Sequence, residues 1–417
     1  MDDFHYQQGE YHCEEASVEN LARAYGTPLY VYSRRTLMGH FTRIRHAFAE
    51  ADPLICYSVK ANGNLSVLAE LHRAGAGMDI VSGGELARAL AVGVPGDKIV
   101  YAGVGKKTEE IRAALKAGIL MFNVESEPEL RRINRVAGTL KTSARVALRL
   151  NPDVDAKTHH YITTGKKENK FGLSIPFALG LFQRAKRLRH VEVVGLHMHL
   201  GSQITRATPY LQAIKRLQPV IADLRAGGHR IEYLNVGGGL GIIYDEEHPQ
   251  TADAFARAVQ PLLAPLNCRL ILEPGRFIMG NAGVLVTQVQ YVKRGLVKTF
   301  IVVDAGMNDL LRPSLYNAYH HVLPARRRRA GRTVLSDVVG PISSPGISWA
   351  RTGISRRARK GIPWAAAAPA PTACPWRRTT TAAPAPRRCW SAANGPTSSA
   401  GGKRFRISWL PSSPCRG

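Results

Sequence analysis

Eight short apolar runs, each handing over to an amphipathic stretch, organise residues 53–276 of this chain. They are LICYSV (54–59), GMDIV (77–81), KIVYAG (98–103), LMFNV (120–124), RVALRL (145–150), VVGLHMHL (193–200), IEYLNV (231–236) and LILEP (270–274). Short apolar runs of this kind suit strands covered on both faces. The stretches between them, such as NLSVLAELHRAGA and TEEIRAALKAG, have helical period and suit the crossovers of a parallel sheet. Eight such units close a (β/α)8 barrel of the TIM type. An open doubly wound sheet is the competing arrangement, but no GxGxxG opens the first helix. A further helix is expected at about 34–50, ahead of the first strand.

The runs also end alike, in polar residues and glycine: SVKAN, DIVSGGE, YAGVGK, NVES, LRLNP, HMHLGSQ, NVGGGLG and EPGR. In a barrel that edge carries the chemistry. Lys60 ends the first run. An amine partly desolvated at the barrel mouth would have a lowered pKa and be free for Schiff-base chemistry, whereas a strand-end lysine taken alone is usually a solvated surface group. Gly237, Gly238 and Gly239 follow the seventh run, where barrels recurrently bind phosphate; a tight turn is the plain alternative. Glu273, Gly275 and Arg276 lie in the EPGR that ends the eighth. A carboxylate there could keep a pyridine nitrogen protonated, and the guanidinium could grip a phosphate or carboxylate; an ion pair between the two is the plain alternative. His197 and His199 alternate onto one face of the sixth run. With no third ligand evident, an imidazole stacked on a flat heteroaromatic ring fits better than zinc, and Ser202 just beyond can donate to a phosphate.

Together these strings resemble the fold type III pyridoxal-phosphate decarboxylases. The carriers are YSVKAN, FGL after Lys170, GLHMHLGSQ, NVGGGLG and EPGRF. VVDAGMNDLLRPSLYNAYH and VVGPI match the diaminopimelate decarboxylase branch in particular. The resemblance runs from about residue 16 to 342. It implies that Lys60 is the Schiff-base lysine and His199 the ring-stacking histidine. Asp79 and Arg149 support that site, and Glu273 partners the pyridine nitrogen. Ser202, Gly237, Gly238, Gly239, Gly275 and Arg276 would make cofactor phosphate and substrate contacts. Arg312 and Tyr316 would bind substrate, with Arg312 clamping a distal carboxylate that polyamine precursors lack. The implied cofactor is pyridoxal 5'-phosphate. The implied reaction converts meso-diaminopimelate to L-lysine and CO2 in a cytoplasmic homodimer. Ornithine- or arginine-type decarboxylases and alanine racemase share the barrel. Racemases, however, pair the ring nitrogen with arginine, not with a residue like Glu273. A non-enzymatic pyridoxal-phosphate carrier would lack 281–342.

The resemblance stops at Pro341-Ile342. The family continues with a Cys-Glu pair, the cysteine donating the proton; here Ser343 and Ser344 stand there. From residue 338 to 417 there is no Asp or Glu, and all five tryptophans lie beyond 342. A globular chain is about a quarter charged, roughly half of it acidic. The stretch therefore reads as translation of a GC-rich gene in a shifted frame, with a basic disordered tail as the alternative. Of the net charge of +26, +17 falls in 325–417. The extreme belongs to the tail and is no argument for nucleic-acid binding by the body. The run 326–329 reads as a solvated patch. No apolar run is long enough to span a membrane, the polar start does not suit a secretory signal, and the six scattered cysteines form no metal motif.

The expected organisation is an N-terminal segment (1–32) that contributes to a β-rich second domain, then a pyridoxal-phosphate-binding barrel (33–280). The start of that second domain (281–342) follows, and then a disordered tail (343–417). Activity is expected to be impaired by the altered C-terminus.

Overall fold

The computed structural model describes residues 3–155, 171–316, 318–327 and 333–342. It also describes the backbone of the strands Ala350–Ser355, Pro363–Ala367 and Arg387–Ser391. Eight parallel strands close on themselves in the order Leu54–Ser58, Gly77–Ile80, Ile99–Tyr101, Met121–Val124, Ala144–Asn151, Val191–His197, Tyr233–Asn235 and Arg269–Leu272. The last pairs with the first through Ile271↔Leu54 and Leu272↔Ile55. All eight expected runs are barrel strands. A short ninth strand, Leu173–Ser174, pairs parallel with the last two residues of the fifth, Leu150 and Asn151. The strands are buried on both faces, which is why they lack the polar alternation of a half-exposed sheet.

The strand ends double as helix starts. The Ser82 hydroxyl accepts from the Glu85 amide, and Ser126 accepts from Glu129. Both belong to Ser-x-x-Glu sequences, and each such cap contributes about 1 kcal/mol. The helix Arg34–Ala47, capped by Ser33, precedes the first barrel strand as expected and packs on the helices Ala252–Leu263 and Arg276–Met279. The sixth strand carries a bulge between Val193 and Gly195. Gly195 is required there: a Cβ would sit 2.6 Å from the Tyr233 carbonyl oxygen. The bulge re-aims the residues that follow, His197 among them.

The second sheet is built around the long strand Gly283–Arg294. It pairs antiparallel with Thr299–Val303 on one side and with Leu29–Ser33 on the other. The strand before the barrel thus joins the strand after it. The N-terminal hairpin Phe4–Gln7/Glu10–Cys13 packs on this sheet through Phe4, Tyr11, Cys13, Val18, Leu29, Val31, Val284 and Val286. Beyond 342, where no ordered structure was expected, three segments run as strands. Ala350–Ser355 pairs with Thr333–Val339, Pro363–Ala367 with Gly283–Arg294, and Arg387–Ser391 with Leu29–Ser33. Ser343, Ser344 and the tail's other segments lie outside the described residues.

Candidate active site

Lys60 occupies the 3-10 turn Val59–Ala61 directly after the first barrel strand. Its Nζ donates to Asp79 Oδ2 at 3.1 Å, and its side chain is 42 % exposed at the barrel mouth. Asp79, at the end of the second strand, is fully buried and also accepts from Ser58 Oγ at 2.6 Å. Its Oδ1 has no hydrogen-bond partner among the described residues. The expectation of a lowered Lys60 pKa is overturned. Burial presses it downward and is the largest single influence, but the carboxylates of Asp79 and Glu273 together outweigh it and the value is raised. Asp79 moves upward too, through burial and the repulsion of Glu273.

Glu273 follows the eighth strand and is 2 % exposed. Asn123 Nδ2 (3.0 Å) and Asn235 Nδ2 (2.6 Å) both donate to its Oε1, and His197 Nε2 lies 3.2 Å from Oε2. Burial alone would raise this carboxyl. The His197 contact and nearby positive charge, that of Lys60 included, more than offset it and hold the group well below the usual carboxylate range. Lys60 and Glu273 therefore stand at neighbouring strand ends of one cavity mouth, as a ring held by both requires.

His199 lies two residues beyond the sixth strand. Its Nδ1 accepts from the Gly238 amide at 3.2 Å. A bare Nδ1 makes Nε2 the protonated nitrogen of a neutral ring, and burial with the charges of Lys60 and Arg149 pushes its pKa well below the ordinary histidine value. The turn of Gly237, Gly238 and Gly239 packs so closely that a Cβ on Gly238 would lie 2.0 Å from the Glu273 carbonyl oxygen. Gly237 also has φ +72°. Arg276, next to Gly275, donates from Nε to Ser202 Oγ at 3.1 Å and from Nη1 to the Tyr244 hydroxyl. Arg312 lies over the same tyrosine ring, 4.6 Å from its centroid, and contacts His320. No carboxylate salt-bridges either guanidinium among the described residues. Burial and mutual repulsion push Arg276 down to about 9, and burial pushes Arg312 down to about 10. Tyr316 ends the one-turn helix that Arg312 begins and is near enough to favour both charges. Two cations with no carboxylate partner among the described residues, flanking one aromatic ring, suit an anion.

Arg149 sits on the fifth strand, salt-bridged to the buried Glu125 at 3.0 Å. The Glu125 amide donates to Glu129 Oε2, and Glu129 Oε1 accepts from Lys106 Nζ at 2.6 Å. The fully buried Lys106 ammonium also donates to the carbonyls of Gly103 and Asn123, tying the third and fourth strand ends together.

Residues 34–280 match the family model of the pyridoxal-dependent decarboxylase, pyridoxal binding domain. A diaminopimelate decarboxylase of Neisseria meningitidis serogroup A is 48% identical over 334 residues, 80% of this chain and 82% of that protein. The chain belongs to the diaminopimelate decarboxylase family. The Aquifex aeolicus member is also 48% identical, over 82% of this chain and 81% of its own length. The crystal structure of diaminopimelate decarboxylase from Helicobacter pylori complexed with L-lysine aligns with a TM-score of 0.81 at 39% identity, covering 85% of this chain and 88% of that one. Lysine decarboxylase from Selenomonas ruminantium, at 20% identity and TM-score 0.76, shares the fold. No described helix is long and apolar enough to cross a membrane.

In this family member, the structure brings every residue singled out from sequence to the C-terminal edge of the barrel or to the adjoining Arg312–Tyr316 helix. Glu273 and Arg276 do not pair with each other. The sequence reading does not single out Asn123, Asn235, Glu125, Lys106 or Tyr244, and it weighs His197 as a metal ligand or a ring-stacking imidazole, not as a partner of Glu273. Their signal was present for the first four: each is a polar residue in or just beyond a strand-end string.

Proposed function

We propose that this chain binds pyridoxal 5'-phosphate at the barrel mouth and decarboxylates meso-diaminopimelate to L-lysine and CO2. The observation that carries the reading is the convergence of Lys60, Asp79, His199 and Glu273 on one edge, with the unpaired Arg276 and Arg312 beside them. The residues fit the cofactor. Lys60 offers the amine for its aldehyde, and His199 a neutral flat ring. Glu273 offers an anionic partner for the ring nitrogen. Ser202, Arg276 and the turn 237–239 offer donors for its phosphate. When bound, the cofactor supplies an electron sink for the pair left as the carboxylate departs.

The chain's own groups do the rest. Lys60 rests as an ammonium ion, so its proton must leave before the amine can act. Asp79 Oδ2, at 3.1 Å, holds the ammonium in place, and the exposed side of Lys60 at the barrel mouth lets solvent take the proton. Arg312 and Arg276 receive substrate carboxylate, which selects a diacid diamine over a simple diamine precursor. Proton return to the α-carbon is the weak point, because a serine hydroxyl at 343 is a far poorer acid than a thiol. Turnover is accordingly low. The working form is a cytoplasmic homodimer.

Pyridoxal phosphate added to the full chain should give a visible absorption band that survives gel filtration. Lys60→Ala should lose that band and all release of CO2 from diaminopimelate. A band of equal intensity in Lys60→Ala would end the proposal.

A further inference from the structure

We infer that His197 is the positioning residue that fixes the plane of Glu273, completing a cradle of three donors with Asn123 and Asn235. The inference rests on the cofactor reading above and extends it to groups that touch only the carboxylate. Asn123 and Asn235 are fully buried, and His197 is 1 % exposed. Both amides donate to Oε1. Two bonds to one oxygen hold that oxygen but leave the carboxylate free to turn about it. The third contact, His197 Nε2 at 3.2 Å from Oε2, removes that freedom.

A carboxylate accepts about four hydrogen bonds, two on each oxygen. Oε1 is full and Oε2 has one place taken, so one acceptor position remains for a ligand. The tautomer of His197 follows from its surroundings. An ionised carboxylate only accepts, so Nε2 carries the proton. Nδ1 is buried with no partner among the described residues, and a proton there would leave a second N–H unmet, at a cost of about 1–3 kcal/mol. The three contacts leave one acceptor position on Oε2 of Glu273, and that position suits a cationic ring N–H. Lys60 and Asp79 from the first two strands, Cys56 in the first, and His199 beyond the sixth are the other titratable groups that influence this carboxylate or are influenced by it. None of them is hydrogen-bonded to its side-chain oxygens in the contacts above.

The test uses the full chain as His197→Leu, which removes the donor, and His197→Gln, which keeps an N–H at similar reach. Three quantities are read: affinity for pyridoxal phosphate, the pH titration of the bound visible band, and Tm without cofactor. His197→Leu should bind at least about tenfold more weakly, as loss of one hydrogen bond to a charged group implies, and should displace the titration. His197→Gln should restore both toward wild type. Should His197→Leu precipitate, His197→Asn, one bond too short, takes its place with the same expectation. Wild-type affinity and titration in the donor-less variant would overturn the inference, whatever happens to Tm. Equal damage in His197→Gln would overturn it as well. Failure of the cofactor reading itself looks different, because wild type would then show no Lys60-dependent band at all.

Discussion

At the scale of single residues, unpaired or crowded charge marks where the protein is prepared for a ligand. Arg276 and Arg312 repel each other across Tyr244, and both are depressed from the ordinary arginine value. Such a pair costs the ligand-free fold and is relieved by an anion. Arg312→Met should therefore leave the empty protein at least as stable, by up to about 1 kcal/mol in denaturant titration. The same change should weaken diaminopimelate binding about ten- to hundredfold, the worth of a charged hydrogen bond. Unchanged affinity would remove Arg312 from the substrate site. Glu85 carries a different signature. Its Oε2 accepts from the Val81 amide at 2.8 Å, yet burial, together with the charge of Asp79, raises its pKa to about 7. An acid whose folded pKa is raised holds a proton that the unfolded chain has already lost. Stability therefore falls as pH rises from the unfolded value near 4.5 to about 7 and is flat above. Glu85→Gln should abolish that slope and stabilise the protein by about 2 kcal/mol at pH 8, after discounting for partial exposure, with little effect at pH 4.5. Parallel melting curves at the two pH values decide it.

At the scale of elements, the barrel edge is held by strand ends tied to one another more than by the strands themselves. Lys106 bridges the third and fourth strand ends and pairs with the buried Glu129. Lys106→Met should destabilise by about 3–5 kcal/mol, because it leaves a buried carboxylate without its partner. A Lys106→Met/Glu129→Gln double variant should recover a large part of this, and a double-mutant cycle measures the coupling. Additive losses would mean that the pair is incidental. The end of the sixth strand works at the same scale. Alternation alone places His197 and His199 together on one face, but the strand stops at His197, which reaches Glu273, while His199 beyond it reaches the glycine turn.

At the scale of the whole molecule, the barrel and the second sheet are joined through chain ends far apart in sequence. Leu29–Ser33 and Gly283–Arg294 are neighbours although the whole barrel lies between them along the chain. Gly283 is fitted to that pairing, since a Cβ would lie 2.7 Å from the Tyr32 ring. The tail belongs to this scale as well. A version of the chain carrying an in-frame C-terminus, with the Cys-Glu pair in place of Ser343 and Ser344, should decarboxylate diaminopimelate at least about a hundredfold faster, the usual worth of a positioned proton donor. The visible band of bound cofactor should be alike in both. Equal, robust turnover from the two chains would refute the frame-shift reading.

The order of the eight strands and the gathering of Lys60, His199 and Glu273 at one edge of the barrel were legible in the sequence. Strand periodicity and strand-end composition are local properties that survive without knowledge of packing. Which charge each group carries was not. Lys60 was expected to lose affinity for its proton and gains it, because the carboxylates that decide the matter arrive from strands 19 and 213 residues away along the chain. The donors around Glu273 come from three separate strands in the same way. Sequence names the groups that can react. Only the closed barrel sets the distances between them, and electrostatic interaction depends on distance in space, not on separation along the chain.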